Sequence, residues 1–325
     1  MSKYLIINAD DFGISNSVNK AIQKLKEENK ISSATLMPNV GYYDDAVIWS
    51  KKKSKDIGLH ITLMNDDSKF KNRSLSRLKS LEDENGFLYE DINKFRKSFK
   101  YKDIKQEINL QFEKLYNSGI DISHVDIHRY AIYPTYNPIV YTYICKKCRQ
   151  YNKLPMRWSK NGGYNILKGI NNLCDSDNVS KFFAAIANLY DIPIPDYVFK
   201  FPYRNTFKTY EEKKNAFIEM IENLPEGISE VHIHPSIESE EIKNNNPTWK
   251  ERVFEFELMM DEDIQDALKK EGIKLITYKE IRNINNHNKS KMKSIYEILY
   301  YGIKYIVKKI IKNHIEGDMY DRKNA

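Results

Sequence analysis

The chain has 325 residues, 41% hydrophobic and 30% charged, with 52 lysines and arginines against 45 acidic residues. That composition suits a protein that buries a core, and excludes both wholesale disorder and a membrane-spanning class. The formal charge of +7 is concentrated in the lysine-rich C-terminal tail, so no basic patch of the kind that binds nucleic acid is expected on the body.

A short strand pattern at Tyr4 to Ala9 leads into a helix pattern at Ser15 to Glu28, with Ser15 as N-cap and Val18, Ala21, Ile22 and Leu25 at helical spacing. Strands are predicted at Ala34–Pro38, Ile57–Leu63, Ile122–Ile127, Val198–Phe201, Glu230–His234 and Ile273–Thr277. Helices are predicted at Tyr43–Lys52, Ile104–Ser118, Pro138–Asn152, Tyr210–Asn223, Trp249–Leu258 and Asp261–Lys270. Alternation of this kind is the pattern of a parallel sheet with crossover helices. It predicts an α/β fold, a single (β/α)-barrel-like domain that is closed, distorted or incomplete, in preference to an open doubly wound sheet. The polar stretch Asn65–Tyr101 and the segment Asn161–Asp177 read as irregular loops over the sheet edge. No repeats and no glycine-rich phosphate loop are present.

The domain boundary falls at residue 283: a catalytic domain over 1–283, then a linker and a basic amphipathic helical tail over 284–325. In the tail Met292, Ile295, Leu299, Ile303, Ile306 and Ile310 recur every three or four residues, with Lys304, Lys308, Lys309 and Lys312 on other faces. Such a helix docks on its own domain, on another copy or on an anionic membrane surface. Cys145 and Cys148 lie in a helix pattern without a second Cys-x-x-Cys to complete a zinc site, and with Cys174 they read as ordinary reduced thiols. With no apolar leader after Met1-Ser2-Lys3-Tyr4, these features point to the cytoplasm, or to the inner face of a membrane.

Chemistry gathers at four places. Asn8-Ala9-Asp10-Asp11-Phe12-Gly13 puts adjacent carboxylates at a strand end, a repulsive arrangement that a cation or shared proton relieves; Asp11 and Gly13 also suit a plain turn. Gly58-Leu59-His60 puts a histidine on the polar face of an otherwise apolar strand. In Ser123-His124-Val125-Asp126-Ile127-His128 the ionisable residues alternate and share one strand face. Val231-His232-Ile233-His234-Pro235 repeats that pattern. Imidazoles with a carboxylate suit a divalent transition metal, and a second carboxylate on a ligand's N–H fixes its tautomer. Asp11, His60 and His128 form a candidate two-histidine, one-carboxylate metal site, leaving Asp10 as general base and His234 as general acid of a hydrolase.

These motifs, with Ser15 and Asn19, resemble in order those of the YdjC-like carbohydrate deacetylases, which include chitooligosaccharide deacetylase. The likeness spans roughly residues 3–283. It implies a barrel-like deacetylase fold that removes an acetyl group from an N-acetylated sugar or oligosaccharide. It also implies one divalent ion, Mg2+ or Zn2+, held by Asp11, His60 and His128, with Asp10 as base and His234 near the leaving amine. Arg157, in Leu154-Pro155-Met156-Arg157-Trp158, matches a family arginine that orients the base or the substrate. His124, Asp126, Arg129, Tyr130 and His232 are expected around these residues as supports or substrate contacts. The chain departs from the family after His128, where Arg129 and Tyr130 stand in place of further histidines. Rival readings are a metal-dependent phosphoesterase or amidohydrolase on a histidine-rich barrel, and a non-catalytic sugar-binding or scaffold protein.

Overall fold

A computed structural model of the chain describes residues 2–53, 56–131, 137–162, 177–202, 206–284 and 290–304. Its elements begin with β1 (Lys3–Phe12), α1 (Asn16–Glu27), β2 (Ser33–Leu36), α2 (Tyr43–Lys53) and β3 (Ile57–Ile61). They continue with α3 (Ile92–Ser98), α4 (Tyr101–Asn117), β4 (Ile122–Ile127), α5 (Pro138–Gln150), α6 (Asp177–Leu189) and β5 (Tyr197–Lys200). After these come α7 (Tyr210–Glu222), β6 (Gly227–Ile233), α8 (Glu240–Asn245), α9 (Trp249–Met260), α10 (Glu262–Lys270), β7 (Lys274–Leu275) and α11 (Ile281–Ile284). The strands run parallel in the order β4-β3-β2-β1-β6-β5, with β7 paired to the start of β1. This is a curled half-barrel wrapped by helices, the incomplete form of the expected barrel.

The sheet has two unlike faces because side chains alternate along each strand. Leu5, Ile7 and Ala9 of β1, Leu59 and Ile61 of β3, and Val231 and Ile233 of β6 join the main core with Val18, Ile22 and Leu25 of α1. Burying each such leucine or isoleucine contributes about 1.5–3 kcal/mol. The alternate positions face the concave side, where a small apolar floor of Ile6, Ile228, Ile276, Tyr278 and Ile281 closes the bottom. Above that floor the same strands present Asn8, Asp10, His60, Asp126, Glu230 and His232, all buried. The interior thus turns from apolar to ionisable toward the strand carboxyl ends, where sites form in such folds.

Helix starts follow their caps: the Ser15 hydroxyl accepts from Val18 N at 3.2 Å, and Thr209 and Ser239 cap α7 and α8 in the same way. The stretch read as a loop between Asn65 and Tyr101 contains α3, started by Asp91, whose carboxylate accepts from Asn93 N and Lys94 N. The helix α6 was not expected; the buried run Phe183 to Ala187 forms its core side, with Asn178, Lys181 and Asn188 at helical spacing on the other. Residues 163–176, including Cys174, lie outside the described residues. Cys145 and Cys148 are free and buried in α5, where burial pushes both thiols up, against nucleophilic or redox use.

The tail helix, described over residues 291–304, sits on the body through a stripe other than the one its apolar spacing suggested. Ser294 and Gly302 are buried and Ile298 packs on the core; a Cβ on Gly302 would lie 3.1 Å from Phe182. Met292, Ile295, Leu299 and Ile303 face away from the body instead. Ile306, Ile310, Lys308, Lys309 and Lys312 lie outside the described residues.

Candidate active site

Strand alternation alone would send Asp10 and Asp11 to opposite faces of the sheet. Between Ala9 and Phe12, however, β1 has two residues where β2 has only Thr35, a bulge in the ladder. Asp11 takes a left-handed backbone (φ 65°) at that bulge, and both carboxylates enter the concave side. A non-glycine residue held there costs on the order of 1 kcal/mol. Arg252 of α9 anchors it by donating from Nη2 to Asp11 Oδ2 at 2.6 Å.

The other Asp11 oxygen, Oδ1, is buried without a hydrogen-bond partner among the described residues. It lies 3.0 Å from His128 Nδ1 and 3.4 Å from His60 Nε2, and those two nitrogens are 3.3 Å apart. Three electron-pair donors therefore converge on one point. His60 Nδ1 meets Asp126 Oδ1 at 2.6 Å, which holds a proton on Nδ1 and aims Nε2, the nitrogen a cation would take, toward Asp11 and His128. His128 stands just past β4, in a short 3-10 turn with Arg129 at φ 53°, rather than in the strand as its alternation suggested. The turn brings its ring over the strand end beside His60, with ring centroids 5.3 Å apart.

Charge balance shows what this arrangement lacks. Asp10, Asp11 and Asp126 are buried with Arg157 and Arg252, three carboxylates to two guanidiniums. Burial alone would lower His60, but Asp126 and Asp11 outweigh it and push its basicity up to about 10. The pocket thus demands a positive charge. Asp11, His60 and His128 fit a divalent cation in chemistry and in convergence. A second grouping, Asp10, His60 and Asp126, also draws together, but both oxygens of Asp10 and Oδ2 of Asp126 are already engaged by Arg157.

Arg157 organises the rest of the site. It donates from Nη1 and Nη2 to the two oxygens of Asp10, each at 2.7 Å, and from Nε to Glu230 Oε1 at 2.7 Å. Asn8 Nδ2 adds a bond to Asp10 Oδ1 at 2.8 Å. Burial tends to raise the Asp10 carboxyl, but the guanidinium prevails and holds it well below the usual carboxylate range. Glu230 shares that guanidinium only through Nε; burial dominates there and pushes its carboxyl up to about 7, even with a hydrogen bond from Tyr278.

His234 lies at the mouth, its side chain 26% exposed, with Nε2 4.0 Å from Asp10 Oδ2. Its backbone N–H donates to Glu255 Oε2 at 2.6 Å, and its Nδ1 is 3.8 Å from the same oxygen. Glu255 is in turn held by Lys213, fully buried on α7, whose Nζ lies 3.1 Å from Glu255 and 2.6 Å from Glu251.

The remaining expected residues are placed differently from one another. His124 stacks on Tyr278 with centroids 3.9 Å apart and reaches Asn8 Oδ1 at 3.1 Å, below the ligand cluster. A Cβ on Gly58 would lie 2.6 Å from the His124 ring, so only glycine allows this approach. Burial keeps His124 well below the usual imidazole range, and hence neutral. His232 is buried beside Asn8 in the ladder, its ring centroid 5.8 Å from that of His234. Arg129 donates to the carbonyls of Asn65 (2.5 Å) and Glu90 (3.1 Å), tying the inserted segment to the strand end. The Tyr130 side chain lies outside the described residues.

Arg252, Glu230, Tyr278, Glu255 and Lys213 were not anticipated. For two of them a signal exists, since Arg252, Glu255 and Met259 recur at helical spacing in α9 and so place charges in line with a core residue.

The model of the family described as YdjC-like protein matches residues 4–270. A carbohydrate deacetylase of Thermoanaerobacter pseudethanolicus is 26% identical over 278 residues, covering 85% of this chain and 98% of that protein. One of Clostridium beijerinckii is 27% identical over 282 residues, covering 85% and 99%. Among solved structures, an Enterococcus faecalis protein provisionally described as a cellobiose-phosphate cleavage protein superposes with a TM-score of 0.68 at 22% identity, covering 86% of this chain and 99% of that one. That likeness concerns the fold. With the family match spanning every motif described above, the chain belongs to the YdjC-like protein family.

Proposed function

We propose that this protein is a metal-dependent hydrolase that removes the acetyl group from an N-acetylated sugar, with Asp11, His60 and His128 holding one divalent cation. The observation that carries the reading is the orphaned Asp11 Oδ1 facing two imidazole nitrogens, with Asp10 and His234 beside it. The naming of curated relatives as carbohydrate deacetylases supports the reaction and substrate class.

Asp10 is the base that receives a proton from the attacking water. Its depressed basicity makes it a weak one, so the water must itself be acidified, and a bound divalent cation supplies this while polarising the amide carbonyl. Arg157 keeps Asp10 ionised and fixes the direction of its lone pairs. His234, within reach of Asp10 and open to solvent, protonates the departing amine. Asp126 fixes the tautomer of His60, and Glu255 fixes the position of His234. The donors of the second grouping are taken up by Arg157, which favours one cation and counts against a two-metal phosphoesterase.

The test is acetate release from N-acetylglucosamine oligomers and from lipid-linked N-acetyl sugars, with Mg2+ or Zn2+ added to metal-stripped protein. Release that returns with metal is expected. Absence of release across the panel would sink the reading.

A further inference from the structure

The helix at residues 291–304 carries six large apolar side chains, Met292, Ile295, Tyr296, Leu299, Tyr300 and Ile303, each between 43% and 73% exposed. Elsewhere among the described residues only Ile48, Tyr116 and Ile139 are comparably exposed. At about 100° per residue the six fall on a single arc of about 140°. Ser294, Ile298 and Gly302 lie on the other side, against the body. Lys293 and Lys304 border one edge of the apolar arc, and Lys291 stands in the first turn in line with the body-facing stripe; all three are exposed. Tyr296 and Tyr300 stack with interplanar angle 11°, and Lys304 Nζ reaches the Tyr300 hydroxyl at 2.7 Å.

Residues 289–312 contain seven lysines and one acidic residue, Glu297. The family match ends at residue 270, so this helix is an addition to the shared catalytic fold.

We propose that this face seats on the anionic surface of a lipid bilayer, with the helix lying in the plane of the interface. Apolar residues in one arc, amphipathic tyrosines among them and lysines along its edge and in the first turn form the pattern by which a helix buries one face at the acyl boundary while its cations reach the headgroups. A second copy of this helix would bring lysine-rich flanks together with a single glutamate each to offset them, whereas anionic headgroups neutralise that charge. Among the described residues no helix is long and apolar enough to cross a membrane, and the seat needs none.

The full chain is sedimented with phosphatidylcholine vesicles and with vesicles that also contain phosphatidylglycerol. Binding at least about tenfold stronger to the anionic vesicles is expected, and it should fall as salt is raised. Leu299→Glu, and separately the triple change K291E, K293E and K304E, should each weaken binding about tenfold or more without lowering the melting temperature, since all four side chains are exposed. Equal binding to both vesicle types overturns the proposal, as does anionic binding that neither variant weakens. A dimer by light scattering that Leu299→Glu converts to monomer assigns the face to a second copy and also overturns it.

Discussion

Arg157 grips Asp10 with two parallel hydrogen bonds of 2.7 Å and spends its third donor on Glu230. A planar fork on a carboxylate fixes direction as well as charge, and lysine reproduces only the charge. Arg157→Lys is therefore expected to lower kcat by about ten- to a hundredfold while metal binding changes little. Asp10→Asn removes the proton acceptor and should cost about a hundredfold to ten-thousandfold. Steady-state rates beside calorimetric metal titration separate the two effects. An Asp10→Asn enzyme at full rate would show that the base lies elsewhere.

Asp126 touches the ligand cluster only through His60, at 2.6 Å. Asp126→Asn is expected to weaken divalent-ion affinity by about ten- to a hundredfold by freeing the imidazole tautomer. His60→Ala and His128→Ala each delete a donor and should abolish binding in the same titration. Retained affinity in either histidine variant removes that residue from the ligand set.

Much of this site was legible because ionisable residues on a strand face stand out from the apolar alternation around them, as His60 does between Leu59 and Ile61. The bulge at Asp11 was not legible: it depends on how β1 and β2 register against each other, a tertiary property that adjacent aspartates do not encode. The reach of Arg157 to three carboxylates and of Arg252 to Asp11 is likewise set by packing between distant segments. The open half-barrel could not be told from a closed one, because strand closure leaves no mark on the alternation of any single strand.

Glu230 offers a pH signature independent of turnover. Its folded value of about 7 lies above the ordinary 4.5, through burial. The folded state therefore holds a proton that the unfolded chain releases near pH 4.5. Its contribution to stability is complete below that pH and is lost as pH rises through about 7, by up to about 3 kcal/mol. Glu230→Gln does not ionise and escapes the loss. The melting temperature of the variant should thus gain on wild type between about pH 5 and about pH 8; a difference that stays flat across that window would show Glu230 ionised throughout.

Lys213 is fully buried between Glu251 and Glu255. Burial would raise the Glu255 carboxyl, but Lys213 outweighs it and His234 adds to the effect, holding it at about 2. Removing one partner of a buried ion pair strands the other, at a cost of about 3–5 kcal/mol. Lys213→Met should lose stability on that scale in urea unfolding, whereas the double change K213M and E255Q should recover part of it by leaving no charge on Glu255. Turnover should not recover with stability, because E255Q also removes the carboxylate charge that faces His234 Nδ1 at 3.8 Å. If the double variant regains both, Glu255 serves the fold alone; if Lys213→Met is as stable as wild type, the buried pair is not ionised.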